Sequence, residues 1–558
     1  MVNMNRIATI LIIIVLALMF SACHKINLSE IETNCYYIAQ FDDDTYILKF
    51  DSISEYNIIG KSYKVGKTAI AEEKSLTIVA GRKECEVSIN DTEFPSKITP
   101  TIISKDSVIG EYSVGKEKKK FCIYKYKEPS YKEVESQFQK EKYKVSVKRD
   151  IVYGSAKGFW SYNPEKKESF AKSYVDKLGE AMKYNVSPRD LSLKLDIYTP
   201  QDDTCKLRPL LMLIHGGAFF NGDKASEAYE KWSNHFAAMG FVVASINYRM
   251  GFLPSAGQID RAGYRAVQDA HAAMRYMVHN AATYRINTDW IFAGGTSAGA
   301  ITALNLAFMR NNNRPKTTKG TALRDDLGDI ESVSSQYKDK FSIRAVANMW
   351  GAVHDISMIA NAKTSIISFH GDADNIVPYG YDYPFKDILD PIKMAIKNSS
   401  SLTIRSFART MNLSMPLNKA ITNKMYGSYE INKKAKALGN RSKLYTTPGG
   451  GHSLHVDKNN KLVPYFYFIQ DSVTSFFIDE LIPKPAKIVH DKNDALSYYI
   501  SGGNIKDIYW KAENGIILST AGRKARIIFL PAACTKRVIV SGHYSNGIGF
   551  RKEIIIRK

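Results

Sequence analysis

A serine in a Gly-x-Ser-x-Gly pentapeptide is the residue of this chain best suited to nucleophilic chemistry. Ser297 lies in Gly-Thr-Ser-Ala-Gly at 295–299, after an apolar run at 290–293 that predicts a buried strand and before a run at 300–309 that predicts a helix. A serine on such a turn projects its hydroxyl from a strained corner. The glycines are needed because a Cβ at either position would crowd the converging strand and helix. The pattern predicts acyl transfer with Ser297 as the nucleophile.

Three further motifs follow predicted strands and supply the other groups that acyl transfer requires. They are His-Gly-Gly-Ala-Phe at 215–219 after the run 209–214, His-Gly-Asp-Ala-Asp-Asn-Ile-Val-Pro at 370–378 after the run 364–369, and Thr-Pro-Gly-Gly-Gly-His-Ser at 447–453 after the run 443–446. A glycine-rich loop lets backbone N–H groups approach the oxyanion of a tetrahedral intermediate, and a carboxylate can orient a histidine base. The glycine-flanked His452 fits the general base, with His455 as the rival.

These motifs resemble those of the α/β-hydrolases, and in particular secreted esterases and lipases of the carboxylesterase-like type with an HGG oxyanion loop. Ser-Ile-Asn-Tyr-Arg at 245–249, and Gln-Asp-Ala at 268–270 before Met-Arg-Tyr at 274–276, resemble the same enzymes. The resemblance covers about residues 145–482. It implies an α/β-hydrolase fold, in which a mostly parallel sheet is covered by helices.

The resemblance also assigns roles within the motifs. The oxyanion donors that it implies are the N–H groups of Gly217, Ala218 and Ala298. The acid that it implies is Asp374, the aspartate of a D-x-x-V-P pattern, with Asp372 as the alternative. His215 is expected to brace the oxyanion loop rather than to take part in catalysis. The order Ser297, Asp374, His452 is the one expected for this fold.

The elements around these motifs change in character along the chain. Strand-like runs alternate with helical runs between 145 and 482, which favours a parallel sheet. Residues 24–132 and 486–558 consist of short apolar runs separated by turn residues, which predicts an N-terminal β-rich domain and a small C-terminal β-sandwich. Two insertions, 311–340 and 383–439, are expected to shape the substrate pocket or act as a lid. Four residues of the second insertion either line that pocket or belong to the core: Met411, Met415, Met425 and Tyr426.

The charge of the chain is strongly basic. It holds 77 Lys and Arg against 56 Asp and Glu, a net charge of +21. The densest basic stretch, 116–149, is interrupted by Glu133, Glu135 and Glu141, which is typical of a solvated edge rather than a nucleic-acid groove. No nucleic-acid partner is predicted. The cysteines show no paired Cys-x-x-Cys spacing, so neither a metal nor any other cofactor is predicted.

The N-terminus has the pattern of a secretion signal. One cation at Arg6 precedes an apolar run over 7–20, which is short for a membrane span of about 20 residues, and small residues lead into Cys23. Cys23 resembles the lipidation site of a bacterial lipoprotein. Residues 1–22 are therefore predicted to be a signal peptide, and the protein is expected in the bacterial cell envelope, anchored by lipid to the outer membrane and facing the periplasm or the exterior. Cleavage with release of the protein is the alternative.

The function predicted from the sequence is that of a serine carboxylic-ester hydrolase working through an acyl-enzyme. Its substrate is expected to be a small-molecule or glycan-linked ester, such as an acetyl or feruloyl ester of a polysaccharide. One alternative is a prolyl-oligopeptidase-like peptidase, although Ala300 stands where those enzymes usually carry a second glycine and no propeller repeat is found. The other is a non-catalytic envelope binding or adhesion protein with a retired hydrolase core.

Overall fold

The computed structural model describes most of residues 35–556. The gaps within that range are 42–43, 54–56, 66–73, 81–84, 90–91, 95–97, 105–106, 115, 162–188, 204, 253–256, 323, 361–362, 387–397, 399, 401–421, 483 and 530–534. The predicted signal peptide, Cys23, Met411 and Met415 lie outside the described residues. The chain forms two compact units, Gln137–Pro483 and the combination of Met1–Ser136 with Lys484–Lys558. Among the described residues, no helix is long and apolar enough to cross a membrane.

The N-terminal β region forms one antiparallel sheet. Its strands are β1 (Tyr36–Phe41), β2 (Asp44–Ile53), β3 (Asn57–Val65), β4 (Lys74–Ala80), β5 (Cys85–Ile89), β6 (Thr92–Phe94), β7 (Ile98–Ser104), β8 (Ser107–Val114) and β9 (Glu117–Lys125). Their order is β6-β5-β4-β3-β2-β1-β9-β8-β7. Most neighbours are consecutive in sequence, because short polar turns allow each strand to pair with the one before it.

The unit Gln137–Pro483 is built on a mixed sheet of eight strands. The strands of this unit are β10 (Val145–Gly158), β11 (Arg189–Pro200), β12 (Arg208–Ile214), β13 (Val242–Ile246), β14 (Ile286–Thr296), β15 (Ala345–Met349), β16 (Ala352–Val353), β17 (Ser365–Gly371), β18 (Tyr381–Asp382), β19 (Met425–Gly427) and β20 (Ser442–Thr447). The eight-stranded sheet has the order β10-β11-β13-β12-β14-β15-β17-β20, and β16, β19 and β18 form a small separate sheet. From β13 onward all neighbours of the large sheet are parallel, and β10, β11 and β13 pair antiparallel.

Helices cover both faces of this sheet. They are α1 (Glu227–Ala238), α2 (Gln258–His279), α3 (Ala281–Tyr284), α4 (Ala298–Phe308), α5 (Ser428–Ala437) and α6 (Pro464–Glu480). Alternate residues of a strand face opposite sides of a sheet. In β12, Met212 belongs to the core cluster that includes α2, whereas Leu211 lies beside Trp232 of α1 and Phe477 of α6. A strand buried on both faces is continuously apolar, as β12 is. The predicted α/β arrangement with a mostly parallel sheet is therefore confirmed.

The C-terminal strands form two antiparallel sheets. They are β21 (Lys487–His490), β22 (Ser497–Ser501), β23 (Ile505–Glu513), β24 (Gly515–Ala521), β25 (Lys524–Phe529), β26 (Lys536–Tyr544) and β27 (Gly549–Ile556). One sheet has the order β21-β22-β25-β24 and the other β23-β26-β27.

The two β regions share a core. Ile38 and Ile47 of the N-terminal sheet are buried in one cluster with Ile516 and Ile528 of the C-terminal strands. The backbone N–H of Ile517 donates a hydrogen bond to the Tyr126 hydroxyl at 3.1 Å. The sequence boundaries treat the regions as separate domains, whereas the structure groups them into one unit, because apolar faces at the two ends of the chain cover each other.

Candidate active site

Ser297 occupies the turn between β14 and α4. Its φ is +53° and its ψ is −120°, a strained conformation for a residue with a Cβ. Its N–H donates to the carbonyl of Met349 on the neighbouring strand at 2.9 Å, which holds the turn in place. The side chain is nearly buried, with 7% of the residue surface exposed. The predicted strand-to-helix corner is confirmed.

The glycines on either side of Ser297 are required by the carbonyl groups that surround the turn. A Cβ on Gly299 would collide with the carbonyl oxygen of Ile214, and a Cβ on Gly295 would lie 2.6 Å from the backbone of Gly299. The predicted crowding is confirmed. The structure adds that the end of β12 takes part in it.

Replacement of Gly299 by alanine is therefore expected to destabilise the protein by about 3 kcal/mol or more, because the obstacle is backbone that has no side-chain freedom to yield. The measurement is the free energy of unfolding by chemical denaturation. Gly380→Ala is the matched control, since a Cβ there meets nothing within 4 Å. A Gly299→Ala protein as stable as Gly380→Ala would contradict this account of the turn.

The structure brings Ser297, His452 and Asp374 into hydrogen-bond contact. The Nε2 of His452 lies 2.9 Å from the Oγ of Ser297, and its Nδ1 lies 2.7 Å from the Oδ2 of Asp374. The three residues follow β14, β17 and β20, whose carboxyl ends lie at the same edge because these strands are parallel. In the neutral ring, the serine hydroxyl donates to Nε2 and the Nδ1–H donates to the carboxylate. This is the arrangement that a nucleophile, a base and an orienting acid require.

The carboxylate of Asp374 is surrounded by donors. Its Oδ1 accepts hydrogen bonds from the N–H groups of Ile376 and Val377, at 2.8 and 3.1 Å. Its Oδ2 contacts His452 and, at 3.3 Å, the Nε2 of His370. Burial raises the pKa of Asp374, but the hydrogen bonds and charges of the two histidines outweigh burial and hold its pKa well below the usual range. Asp374 is therefore ionised at neutral pH.

The rival residues lie nearby but make other contacts. Asp372 is exposed, and its Oδ1 accepts a hydrogen bond from the N–H of Gly449 at 2.7 Å, which joins the acid loop to the histidine loop. His455 stacks on Trp350 with ring centroids 5.1 Å apart. Burial, together with the nearby charge of His452, lowers the pKa of His455 to about 4. Within the described residues, the histidine that hydrogen-bonds to the serine is His452.

The His-Gly-Gly loop lies against the serine turn. A Cβ on Gly216 would come within 3.4 Å of the Cβ of Ser297, so the loop backbone passes directly beside the serine. Positive φ angles are found at Gly217 and Ala218, +108° and +54°. Within the described part of the chain, no hydrogen bond engages the N–H groups of Gly217, Ala218 or Ala298. These donors are available to a ligand, and that of Ala298 lies at the N-terminus of α4, where negative charge is favoured.

His215 and Tyr248 pack together and support this loop. The two rings stack with centroids 4.4 Å apart, and the Tyr248 hydroxyl donates to the carbonyl of His215 at 2.9 Å. The Nδ1 of His215 donates to the carbonyl of Gly216 at 2.7 Å. Burial lowers the pKa of His215 to about 4, so the ring is neutral in ordinary buffers. These contacts are those of a bracing residue.

Two residues that the sequence analysis does not identify also hold the site together. Trp350, fully buried after β15, packs edge-on against the His452 ring at 6.2 Å while stacking on His455. Tyr229 of α1 donates to the carbonyl of Ile214 at 2.8 Å, and its oxygen accepts a hydrogen bond from the N–H of Thr296 at 3.0 Å. The one signal in the sequence is the position of Trp350 directly after the run 343–349, which is predicted to be a strand. Nothing in the sequence marks Tyr229, because its partners lie at the ends of two strands, β12 and β14, that are distant from it in the sequence.

The stretches at 245–249 and 268–270 meet in a buried ion pair. Arg249 and Asp269 contact each other at 2.7 Å, with side chains almost fully buried. The amide of Asn247 accepts a hydrogen bond from the N–H of Lys224 at 2.8 Å and donates to the carboxylate of Asp223 at 2.9 Å. These bonds fix the segment that follows the His-Gly-Gly loop.

An apolar cavity borders the elements that carry Ser297 and the His-Gly-Gly loop. Residues that line it include Phe219, Tyr264, Ile301, Phe385, Met425 and Asp260. Asp260 accepts hydrogen bonds from Thr317 and Asn423, one residue from each predicted insertion, at 3.1 and 2.7 Å. Burial raises the pKa of Asp260. Of the four candidate pocket residues, Met425 lines this cavity and Tyr426 stacks on Tyr381.

Comparisons with known proteins give local matches. Residues 195–365 match the family model named BD-FAE. A segment of 116 residues is 32% identical to gut esterase 1 of Caenorhabditis briggsae and covers 20% of each chain. A segment of 164 residues is 32% identical to carboxylesterase 1C of Rattus norvegicus and covers 28% of this chain and 27% of that one. The chain thus spans about a fifth to a quarter of the length of these curated relatives.

Two solved esterase structures are similar to parts of this chain at low sequence identity. A truncated form of a carbohydrate esterase from gut microbiota is 18% identical, with a TM-score of 0.32 over 62% of this chain and 99% of that one. Thermogutta terrifontis esterase 2 phosphorylated by paraoxon is 19% identical, with a TM-score of 0.33 over 52% of this chain and 89% of that one. The region matched by the family model contains Gly217 and Ser297 but ends before Asp374 and His452.

Proposed function

We propose that this protein hydrolyses carboxylic esters through an acyl-enzyme on Ser297. The observation that carries the proposal is the chain of two hydrogen bonds from Ser297 through His452 to the ionised Asp374. Local identity to proteins named gut esterase and carboxylesterase supports the same reaction class.

In the first half of the proposed reaction, the Oγ of Ser297 attacks the ester carbonyl while Nε2 of His452 takes the hydroxyl proton. The ring becomes positively charged, and the adjacent Asp374 carboxylate stabilises that charge. The tetrahedral oxyanion accepts hydrogen bonds from the free N–H groups of the loop at 217–218 and of Ala298. Each such donor is worth about 3 kcal/mol in the transition state.

Acylation ends when the tetrahedral intermediate collapses to the acyl-enzyme on Ser297 and the leaving alcohol takes the proton from His452. The base then removes a proton from water, which attacks the acyl-enzyme, and the same donors stabilise the second oxyanion. The carboxylate leaves and Ser297 recovers its proton. The two half-reactions together consume one water and yield one acid and one alcohol.

For the acyl group, we propose an aromatic acid such as ferulate, carried on a polysaccharide. The cavity beside the turn offers aromatic surface from Phe219, Tyr264 and Phe385, and the carboxylate of Asp260 offers an acceptor for a phenolic hydroxyl. An acetyl group has no ring to pack against these aromatic side chains. Burial of an aromatic ring there is the source of binding energy that separates the two acyl groups.

Replacement of Met425 by tryptophan tests this assignment, because it fills the cavity from the side of the second insertion. We expect kcat/KM for methyl ferulate to fall by about tenfold or more, while that for p-nitrophenyl acetate stays within about twofold of the wild type. Met425→Leu, which conserves volume, is the matched control and should change neither rate by more than about twofold.

An equal loss of kcat/KM on both esters in Met425→Trp would show that the cavity does not recognise the acyl group. Hydrolysis of acetyl p-nitroanilide at rates similar to the ester would favour the peptidase alternative. Lack of both ester hydrolysis and labelling of Ser297 by a fluorophosphonate would favour a binding protein with a retired core.

A further inference from the structure

A second histidine contacts the same carboxylate oxygen of Asp374 as His452 does. His370 lies on β17 and is fully buried. Its Nε2 is 3.3 Å from the Oδ2 of Asp374 and 3.1 Å from the carbonyl oxygen of Val377. Both neighbours are acceptors, so the contacts are favourable only if Nε2 carries a proton.

The other nitrogen of His370 shows how that proton is held in place. Its Nδ1 lies 2.7 Å from the Oγ of Ser428, the first residue of α5. The side-chain amide of Asn348 donates to that same Oγ at 2.9 Å, so the serine accepts from Asn348 and must donate its own proton elsewhere. Its acceptors are Nδ1 of His370, at 2.7 Å, and the carbonyl of Gly351, at 3.4 Å. The shorter contact makes Nδ1 the acceptor, and the neutral ring then has its proton on Nε2.

Asn348 is itself fixed. Its Oδ1 accepts the N–H of Gly351 at 2.8 Å, and its amide also donates to the Oγ of Ser368 at 3.0 Å. With the amide oxygen committed to an N–H donor, the amide cannot rotate by 180° without losing these bonds. The direction of donation from Asn348 through Ser428 to His370 is therefore determined by the backbone.

A ring N–H at this place has a consequence for the acid. Asp374 accepts three hydrogen bonds, two from backbone N–H groups on Oδ1 and one from His452 on Oδ2. The Nε2–H of His370, which donates to the Val377 carbonyl, lies beside the same Oδ2 at 3.3 Å. Each donor lowers the basicity of the carboxylate and fixes its plane. The acid is thus kept from drawing the proton away from His452, and the His452 ring is held at the angle that points Nε2 at Ser297.

We propose that His370, held by Ser428 and Asn348, is a positioning residue that acts through Asp374 on the base of the proposed triad. The inference rests on the proposed function. His370 does not touch the reacting atoms. It sets the orientation and basicity of Asp374, which in turn orients the base His452.

A test of this proposal must distinguish the effect of His370 on His452 from the effects of the other titratable side chains nearby. Within the described part of the chain, a titratable side chain near His452 besides Asp374 is His455, which lies across Trp350 and is held neutral by burial above about pH 4. Asp372 is exposed and bonds to Gly449 instead. His370 reaches the base only through the carboxylate.

Replacement of His370 by leucine in the full-length protein should strengthen the attraction of Asp374 for the ring proton of His452, because the ring N–H that lies 3.3 Å from Oδ2 is lost. The acid limb of the kcat/KM profile for p-nitrophenyl acetate should move up by about half a pH unit, and the plateau of kcat should fall about tenfold. His370→Gln, whose amide can donate, should recover part of both effects.

His271→Leu is the matched control. His271 is another buried histidine, on α2, and within the described residues its ring nitrogens have no hydrogen-bond partner. This replacement is expected to change thermal stability and leave the pH profile in place. A His370→Leu protein that loses stability but keeps the wild-type profile would show that His370 is a core residue only.

NMR titration of His452 in protein labelled with ¹⁵N-histidine tests the same effect of His370 without needing ester hydrolysis. The His452→Gln protein is used to assign the His452 signals. An upward shift of the His452 titration in His370→Leu supports the positioning role even if no ester is hydrolysed. An unchanged titration overturns it even if hydrolysis is fast. Failure of the proposed function and failure of this inference are thereby distinguished.

Discussion

Replacement of Ser297 by alanine is expected to lower kcat for hydrolysis of p-nitrophenyl acetate by at least about 10⁴-fold, because Ser297 is the hydroxyl that, within the described residues, hydrogen-bonds to the base His452. The residual rate comes from the oxyanion donors and from water, which the substitution leaves in place. The measurement is the steady-state rate against the uncatalysed reaction in the same buffer. Labelling by a fluorophosphonate should be lost in parallel.

A matched control for this substitution is Ser233→Ala. Ser233 is fully buried on α1, and within the described residues its hydroxyl has no hydrogen-bond partner. Its loss should leave kcat within about twofold of the wild type. A Ser297→Ala enzyme that kept more than a few per cent of activity, or still reacted with the fluorophosphonate, would show that another residue is the nucleophile.

The part of the site that depends on short-range sequence could be predicted. The turn at Ser297 needs a strand, two small residues and a helix within about twenty positions, and the glycines at 295 and 299 show that requirement directly. The acid and base loops were recognised because each begins where an apolar strand ends. Parallel strands bring such ends to one edge, so the sequence predicts that Asp374 and His452 meet.

The part that depends on long-range packing could not be predicted. The ring of Trp350 lies between two histidines that are more than 100 positions away in the chain. Tyr229 contacts the last residues of two strands, Ile214 and Thr296, which are 82 positions apart. The same holds for the joint core of the β regions, where Ile38 meets Ile528. Apolar and aromatic residues of this kind have no motif, because any large side chain of the right shape can fill such a position.

Replacement of Asp374 by asparagine is expected to lower kcat/KM by about 10⁴-fold at neutral pH, through the tautomer of His452. The Oδ1 position receives two backbone N–H donors, so the amide oxygen of asparagine must occupy it. The amide NH₂ then takes the Oδ2 position, 2.7 Å from Nδ1 of His452. A donor there requires Nδ1 to be the acceptor, which moves the ring proton to Nε2, facing Ser297. A base with its proton on that nitrogen cannot take another from the serine.

Asp372→Asn is the matched control, since it lies in the same loop, is exposed and makes no contact with His452 within the described residues. It should retain activity within about twofold. The two variants should also differ in stability against pH. The pKa of Asp374 is lowered on folding, so its ionised form stabilises the protein above the ordinary carboxyl pKa of about 4, and that contribution is lost as the pH falls toward the folded value. Denaturation of Asp374→Asn should therefore depend less on pH below about 4 than that of Asp372→Asn. Equal activity of the two variants would mean that the acid contacting His452 contributes nothing beyond packing, because both replacements remove one charge from the same loop.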